Sequence, residues 1–95
     1  MCKFEWNNEK AISNLKKHGI SFEEAKSVFN DYFARTFYDP EHSIDESRFL
    51  IFGYSNNNRL LIVSFTDKNN VIRIISARKV TQNERKKYEE YTKIS

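Results

Sequence analysis

Periodicity along the chain points to an α+β domain with elements in the order β-α-α-β-β-β-β-α. Apolar residues recur at helical spacing between residues 8 and 31 and again after Thr81. Between Ala34 and Lys79 the pattern changes to β-favouring runs, and short polar turns separate them. Consecutive strands joined so briefly must run as an antiparallel meander. A length of 95 residues fits one domain over residues 1–95.

The first strand is Lys3 to Trp6, where Phe4 and Trp6 alternate onto one face. Asn7 or Asn8 can cap a helix from Glu9 to His18, with Ala11, Ile12 and Leu15 as its apolar stripe. Lys16, Lys17 and His18 suit the negative end of that helix, and Gly19 suits a left-handed C-terminal residue. Ser21 and Glu24 then form a capping-box pattern behind Ile20. Phe22, Ala25, Val28, Phe29 and Tyr32 continue as a second helix. Together the two helices predict an αα-hairpin over about residues 8–31. Strands follow at Ala34–Asp39, Arg48–Tyr54, Arg59–Thr66 and Val71–Lys79, with a polar loop from Asp39-Pro40 to about Ser47. Asparagine-rich turns at 55–58 and 67–70 divide the last three, because asparagine tolerates left-handed backbone. Thr81 and Glu84 make a second capping box, opening a helix from Gln82 to about Lys93. Its apolar stripe is only Tyr88, Tyr91 and Ile94, so it should dock weakly.

The turns predict a register that pairs Tyr54 with Arg59, which sets Phe52 against Leu61, Leu50 against Val63 and Arg48 against Phe65. Pairing Asp67 with Val71 sets Phe65 against Arg73, Val63 against Ile75, Leu61 against Ala77 and Arg59 against Lys79. One face then has an apolar centre with Arg48, Arg73, Arg59 and Lys79 at its ends. The other carries Phe49, Ile51, Ile62, Ile72 and Ile74 with Arg78. A slip of one residue would swap these faces. The N-terminal helices can cover one face; the polar last helix covers the other poorly.

Composition narrows the function. Apolar residues are 39%, aromatics 15% and the net charge +3, which is a folding composition rather than a disordered one. No apolar run nears the ~20 residues of a membrane helix. MCKFEWNNEK has no secretory h-region. The single cysteine, Cys2, excludes an internal disulfide framework or a cysteine zinc cluster, and near the terminus it has no expected role. GxGxxG, P-loop, HExxH, CxxC and GxSxG patterns are all missing. The expectation is a small cytoplasmic protein without metal, cofactor or membrane partner, whose surface acts on a large, open substrate. Residues 68–95 hold eight basic and three acidic side chains, a net +5, against −2 for residues 1–67. With Tyr88 and Tyr91 interleaved, this basic third suits RNA; the plainer reading is a solvated helix face.

Leu15-Lys16-Lys17-His18-Gly19-Ile20-Ser21-Phe22-Glu23-Glu24-Ala25 resembles the KHGISFEEA signature of the BrnT family. Ile74-Ile75-Ser76-Ala77-Arg78-Lys79, followed by Thr81, Glu84, Arg85 and Tyr88, resembles its IISARKAT..ER..Y segment, with Val80 where alanine is usual. Asp39, Glu46-x-Arg48 and Gly53 also fit, and the likeness covers about residues 4–88. The resemblance implies a RelE-like fold and a toxin of a type II toxin–antitoxin pair that acts on RNA. It further implies inhibition by a BrnA-like antitoxin with a ribbon-helix-helix-type DNA-binding domain, so that operator DNA is met only through the antitoxin.

Such an endoribonuclease needs no metal: the RNA 2′-hydroxyl attacks the neighbouring phosphorus, and arginine matches the phosphate oxygens that gain charge. Arg73, Arg78, Lys79 and Tyr88 are the candidate catalytic residues, and Arg48, Arg59, Arg85 and Lys86 the candidate RNA-binding residues. Arg78 could instead pair with Glu84 or Glu46, and Arg73 could pair with a carboxylate or line a cleft. Glu84 is a capping residue first and a general base second. His18 and His42 could move protons, although a helix's last turn explains His18 and a polar loop holds His42. The alternative function is a non-catalytic regulator that binds a partner through the same fold.

Overall fold

The computed structural model describes residues 3–94, with side chains to residue 91; Cys2 and the side chain of Ile94 lie outside the described residues. Five strands form one mixed sheet: β1 (Lys3–Glu5), β2 (Arg35–Tyr38), β3 (Phe49–Tyr54), β4 (Leu60–Lys68) and β5 (Val71–Lys79), in the order β1-β5-β4-β3-β2. Strands β2 to β5 are an antiparallel meander, and β1 returns to lie parallel to β5, with Lys3 opposite Val71. The helices are α1 (Asn8–His18), α2 (Phe22–Ser27) and α3 (Gln82–Ile94).

Helices α1 and α2 cover one face. Ile20, Phe22, Ala25 and Val28 pack there against Ile51, Leu61, Val63, Phe65 and Ile74. Helix α2 stops after six residues and becomes a 3-10 turn over Val28–Asn30, short of the predicted end near residue 31. The reason is Asp31: its carboxylate accepts from Phe33 N (3.1 Å) and Tyr54 N (2.8 Å), turning the chain down onto β3. Gly53 makes room, since a Cβ there would come within 3.0 Å of Val28, Asp31 and Ala34.

Helix α1 is capped as its sequence predicts, by the Asn7 side chain on Lys10 N (3.0 Å) and by left-handed Gly19 (φ 71°). Its buried face differs from the expected Ala11–Ile12–Leu15 stripe. Ile12 is 58% and Leu15 52% exposed, whereas Asn14 is only 6% exposed. Strand β1 pairs with residues 71–73 of β5, which leaves the edge of β5 open at Ala77. Asn14 closes that edge: its Oδ1 accepts from Ala77 N (3.1 Å), and its Nδ2 donates to Ala77 O and Ile20 O (both 2.9 Å). Buried peptide groups need partners, so a polar side chain displaces the apolar stripe here.

The turns correct the expected register. Ser55 N donates to Arg59 O (2.9 Å), and Asn58 is left-handed (φ 58°), so only three asparagines form the loop after β3. Tyr54 therefore faces Leu60, Phe52 faces Ile62, Leu50 faces Ser64 and Phe49 faces Phe65. Asn69 (φ 54°) and Asn70 (φ 63°) make a two-residue turn that sets Lys68, not Asp67, opposite Val71. Phe65 then meets Ile74 rather than Arg73. Further along, Val63 meets Ala77 and Leu61 meets Lys79, because Ile75 is an extra residue between the pairs Phe65–Ile74 and Ser64–Ser76. The result is a β-bulge in β5.

Candidate functional site

That bulge decides which arginines share a face. Ile72, Ile74 and Ala77 are all buried under the helices, although strict alternation would separate Ile74 from Ala77. The extra residue at Ile75 absorbs the mismatch and leaves Arg73 and Arg78 both on the open side of the sheet.

On this side a groove of about 330 Å³ runs across β3, β4 and β5. Ser64 and Ser76, directly opposite one another, help keep its floor low. Arg48, Arg78 and His42 stand around it. The loop from β2 to β3 supplies His42 and is tied at its base by Asp39 N to Arg48 O (2.8 Å) and Arg48 N to Ser43 Oγ (2.9 Å). His42 Nδ1 lies 2.9 Å from Asp39 Oδ2. A carboxylate only accepts, so Nδ1 carries the hydrogen and Nε2 is left for other chemistry. Arg48 Nε is buried and has no hydrogen-bond partner among the described residues.

Arg78 is held by Glu84 through two parallel bonds, Nη1 to Oε1 and Nη2 to Oε2, both 2.9 Å. Glu84 completes the capping box as well: Thr81 N donates to its Oε1 (2.8 Å), and its own N donates to Thr81 Oγ1 (3.2 Å). The Arg78 guanidinium is the main cause that holds the Glu84 carboxyl down at about 2. The guanidinium thus stands on a rigid support while its exposed part borders the groove.

The other candidates are placed differently. Arg73 does both things its sequence position allowed, pairing with Glu46 from the long loop and lining a second, 440 Å³ cavity. Tyr88 is 5% exposed; its hydroxyl donates to Asp31 Oδ2 (3.3 Å) and Phe33 O (3.4 Å), so it anchors α3. Burial is the first cause that pushes its phenol up to about 12. With Tyr54 stacked edge-on to Tyr88 and Phe37 beside Tyr91, α3 docks over β2 and β3 by aromatic contacts. Lys79, opposite Leu61, falls on the helix-covered side at the end of β5. Arg59 turns away from the groove to Glu24, which also accepts from Ser55 Oγ (2.6 Å). Glu24 therefore serves Arg59, while Ser21 Oγ alone caps α2. Arg85 donates to Tyr54 OH (3.3 Å), and Lys86 is exposed on α3. His42 was among the groups that could move protons and Glu46 among the possible arginine partners; what the sequence reading missed is that Asp39 orients His42, for which the i, i+3 spacing in Asp39-Pro40-Glu41-His42 is a signal.

Two glutamates give the fold an acid limit. Glu24, chiefly through its bond to Arg59, is also lowered to about 2 from an ordinary value of 4.5. A depressed carboxyl stabilises the folded state above its unfolded pKa and loses that contribution as pH falls towards the folded value. Urea unfolding should therefore show constant support from Glu24 and Glu84 above pH ~4.5 and a fall between ~4.5 and ~2. In an Arg59→Met/Glu24→Leu variant the fall should shrink; an unchanged profile would assign it to other groups.

Residues 6–84 match the family described as "Ribonuclease toxin, BrnT, of type II toxin-antitoxin system". The chain belongs to this BrnT toxin family. The fold agrees. The 1.1 Å crystal structure of the Brucella abortus ribonuclease toxin BrnT superposes with a TM-score of 0.66 at 22% identity, over 86% of this chain and all of that one. No curated protein matches. The BrnT match takes in β2–β5 and the groove, and ends at Glu84, the residue that supports Arg78. Among the described residues no three His, Cys, Asp or Glu side chains converge as metal ligands, and no helix is long and apolar enough to cross a membrane.

Proposed function

We propose that this toxin is a metal-independent endoribonuclease whose catalytic centre is the groove bordered by Arg48, Arg78 and His42. The observation that carries the reading is their convergence: two guanidinium groups and a carboxylate-oriented imidazole on one open, shallow face. An extended RNA strand fits such a face, whereas a small substrate would want an enclosed pocket.

In the proposed reaction the 2′-oxygen attacks the adjacent phosphorus as its proton leaves, and the bond from phosphorus to the 5′-oxygen breaks. The products are a 2′,3′-cyclic phosphate and a 5′-hydroxyl. Arg78 binds the phosphate oxygens as negative charge builds on them. Glu84, held at about 2, is too weak a base to take the proton and instead positions Arg78. His42 Nε2 is the proton-transfer group, with Asp39 fixing its tautomer. Arg48 holds a neighbouring phosphate, Arg73 extends the basic track, and Arg85 and Lys86 offer further phosphate contacts on α3. Arg59, Lys79 and Tyr88 are left with structural or peripheral roles. The RelE-like relationship belongs to this same reading.

Purified protein should cut RNA in excess EDTA and leave cyclic phosphate ends. Activity that disappears with EDTA and returns with Mg²⁺ would overturn the mechanism. No cleavage at all, with tight antitoxin binding, would favour the non-catalytic regulator instead.

The partner implied by the type II system is a protein antitoxin. We propose that it is BrnA-like, with a ribbon-helix-helix DNA-binding domain, and that it meets the toxin in the cytoplasm. The +5 charge of residues 68–95 attracts an acidic antitoxin as readily as RNA. Antitoxin should protect residues 71–91 from hydrogen exchange, and RNA should be displaced as antitoxin binds. Simultaneous binding at full affinity would mean that inhibition works at a distance.

A further inference from the structure

We propose that the 440 Å³ cavity beside Trp6 is a base-recognising subsite, holding the nucleotide next to the one cleaved in the groove. The proposal rests on the ribonuclease reading above and deepens it. Trp6 leaves β1 half-buried, one contact of its indole being an edge-on pairing with Phe22 at 6.0 Å. It also lines the cavity together with Asn7, Lys10, Glu46, Arg48 and Arg73. With three cations against the carboxylates of Glu46 and Glu5, the lining keeps a positive excess, and an aromatic ring beside it is what a nucleotide needs: a surface for the base and positive charge for its phosphates.

The two cavities are continuous in the way a strand requires. Arg48 and Ile75 border both of them. Arg48 therefore stands where the phosphate linking two nucleotides would pass. A guanidinium at that place can bond phosphate oxygens in pairs. Asn7 uses its Oδ1 to cap α1, which leaves its amide hydrogens for the edge of a base. Glu46 now holds Arg73 at the cavity wall; an entering phosphate would exchange for that carboxylate. Ile75, the bulged residue, borders both cavities and so lies between the subsite and the groove.

Trp6 is the one tryptophan in the chain, so its fluorescence, excited beyond the tyrosine absorption, reports on this cavity and the core beside it. A fully 2′-O-methylated oligoribonucleotide, which cannot be cut, should quench that fluorescence saturably. Trp6→Leu should weaken binding of the same oligonucleotide about tenfold, the scale of losing one stacked base. On cleavable RNA it should raise KM and blur the base preference beside the cut, while Trp6→Phe restores most of both. A folded Trp6→Leu protein with unchanged affinity and unchanged cleavage pattern would overturn the subsite and leave the ribonuclease reading standing. If Trp6→Leu does not fold, titration of the unaltered protein decides, and RNA binding without quenching overturns the proposal. Quenching by antitoxin but not by RNA would also overturn it, assigning the cavity to the protein partner. Quenching by RNA in a protein that cuts no RNA would support the subsite while refuting the catalytic reading.

Discussion

Arg78→Ala is expected to cut the rate of RNA cleavage by ~10²-fold or more, and to abolish growth inhibition, without unfolding the protein. The contact is made mainly to charge that exists in the transition state, and removing such a donor costs on the order of 3 kcal/mol. The fold should survive because the partner left behind is not stranded. Glu84 keeps its bond from Thr81 N and is 26% exposed, so water can replace the guanidinium. Arg78→Lys should recover little, since an ammonium cannot make the two parallel bonds to Glu84 that aim the side chain. Single-turnover cleavage beside a thermal melt separates the possibilities. A folded, fully active Arg78→Ala enzyme would place the catalytic centre elsewhere, and an unfolded one would make the arginine structural.

Arg59→Ala should lower stability by clearly more than loss of a surface ion pair would, because it strips the partner from a buried carboxylate. Glu24 has a side chain only 4% exposed and relies on Arg59 for its charge. Ser55 Oγ remains on it, yet a single hydroxyl does not balance a carboxylate in that position. Replacing both partners, as in Arg59→Met/Glu24→Leu, should cost clearly less than the single change, because no charge is then left buried. Urea denaturation of the three proteins tests this. A loss under ~1 kcal/mol for Arg59→Ala would show the pair to be a weak surface bridge. Arg59→Ala should also keep full cleavage per folded molecule, which distinguishes it from the groove arginines.

Much of this architecture could be read from local chemistry. Asn7, Gly19 and the Thr81–Glu84 box each report on their own turn of helix, and each appears where its sequence placed it. The strand positions were readable for the same reason. Register was not, because it depends on whether Ser55 pairs with Arg59 and whether Asn69 and Asn70 both turn left-handed. Either choice satisfies the local preferences, and each moves every residue beyond it. The bulge at Ile75 has no signature in Ile74-Ile75-Ser76 at all; it exists because Phe65 and Val63 must both find core partners in β5. The face of α1 was misread because periodicity weighs Ile12 and Leu15 but cannot see the open edge at Ala77 that Asn14 fills. For the site, Arg78 and Glu84 are six residues apart and visible as a pair, while Glu46 reaches Arg73 from 27 residues away.

The pairing of β1 with β5 has a consequence for the toxin's manufacture. Lys3 is made 68 residues before its partner Val71. At about 5–20 residues per second, the chain spends several seconds on the ribosome with its first strand unmatched and its sheet open. The groove cannot exist before β5 supplies its wall. A message truncated before codon 71, or a product clipped there by a protease, lacks Arg73 and Arg78 and has no strand to complete the Trp6 cavity. The groove thus waits for β5 to be translated, and an antitoxin already in the cell has that interval to be waiting.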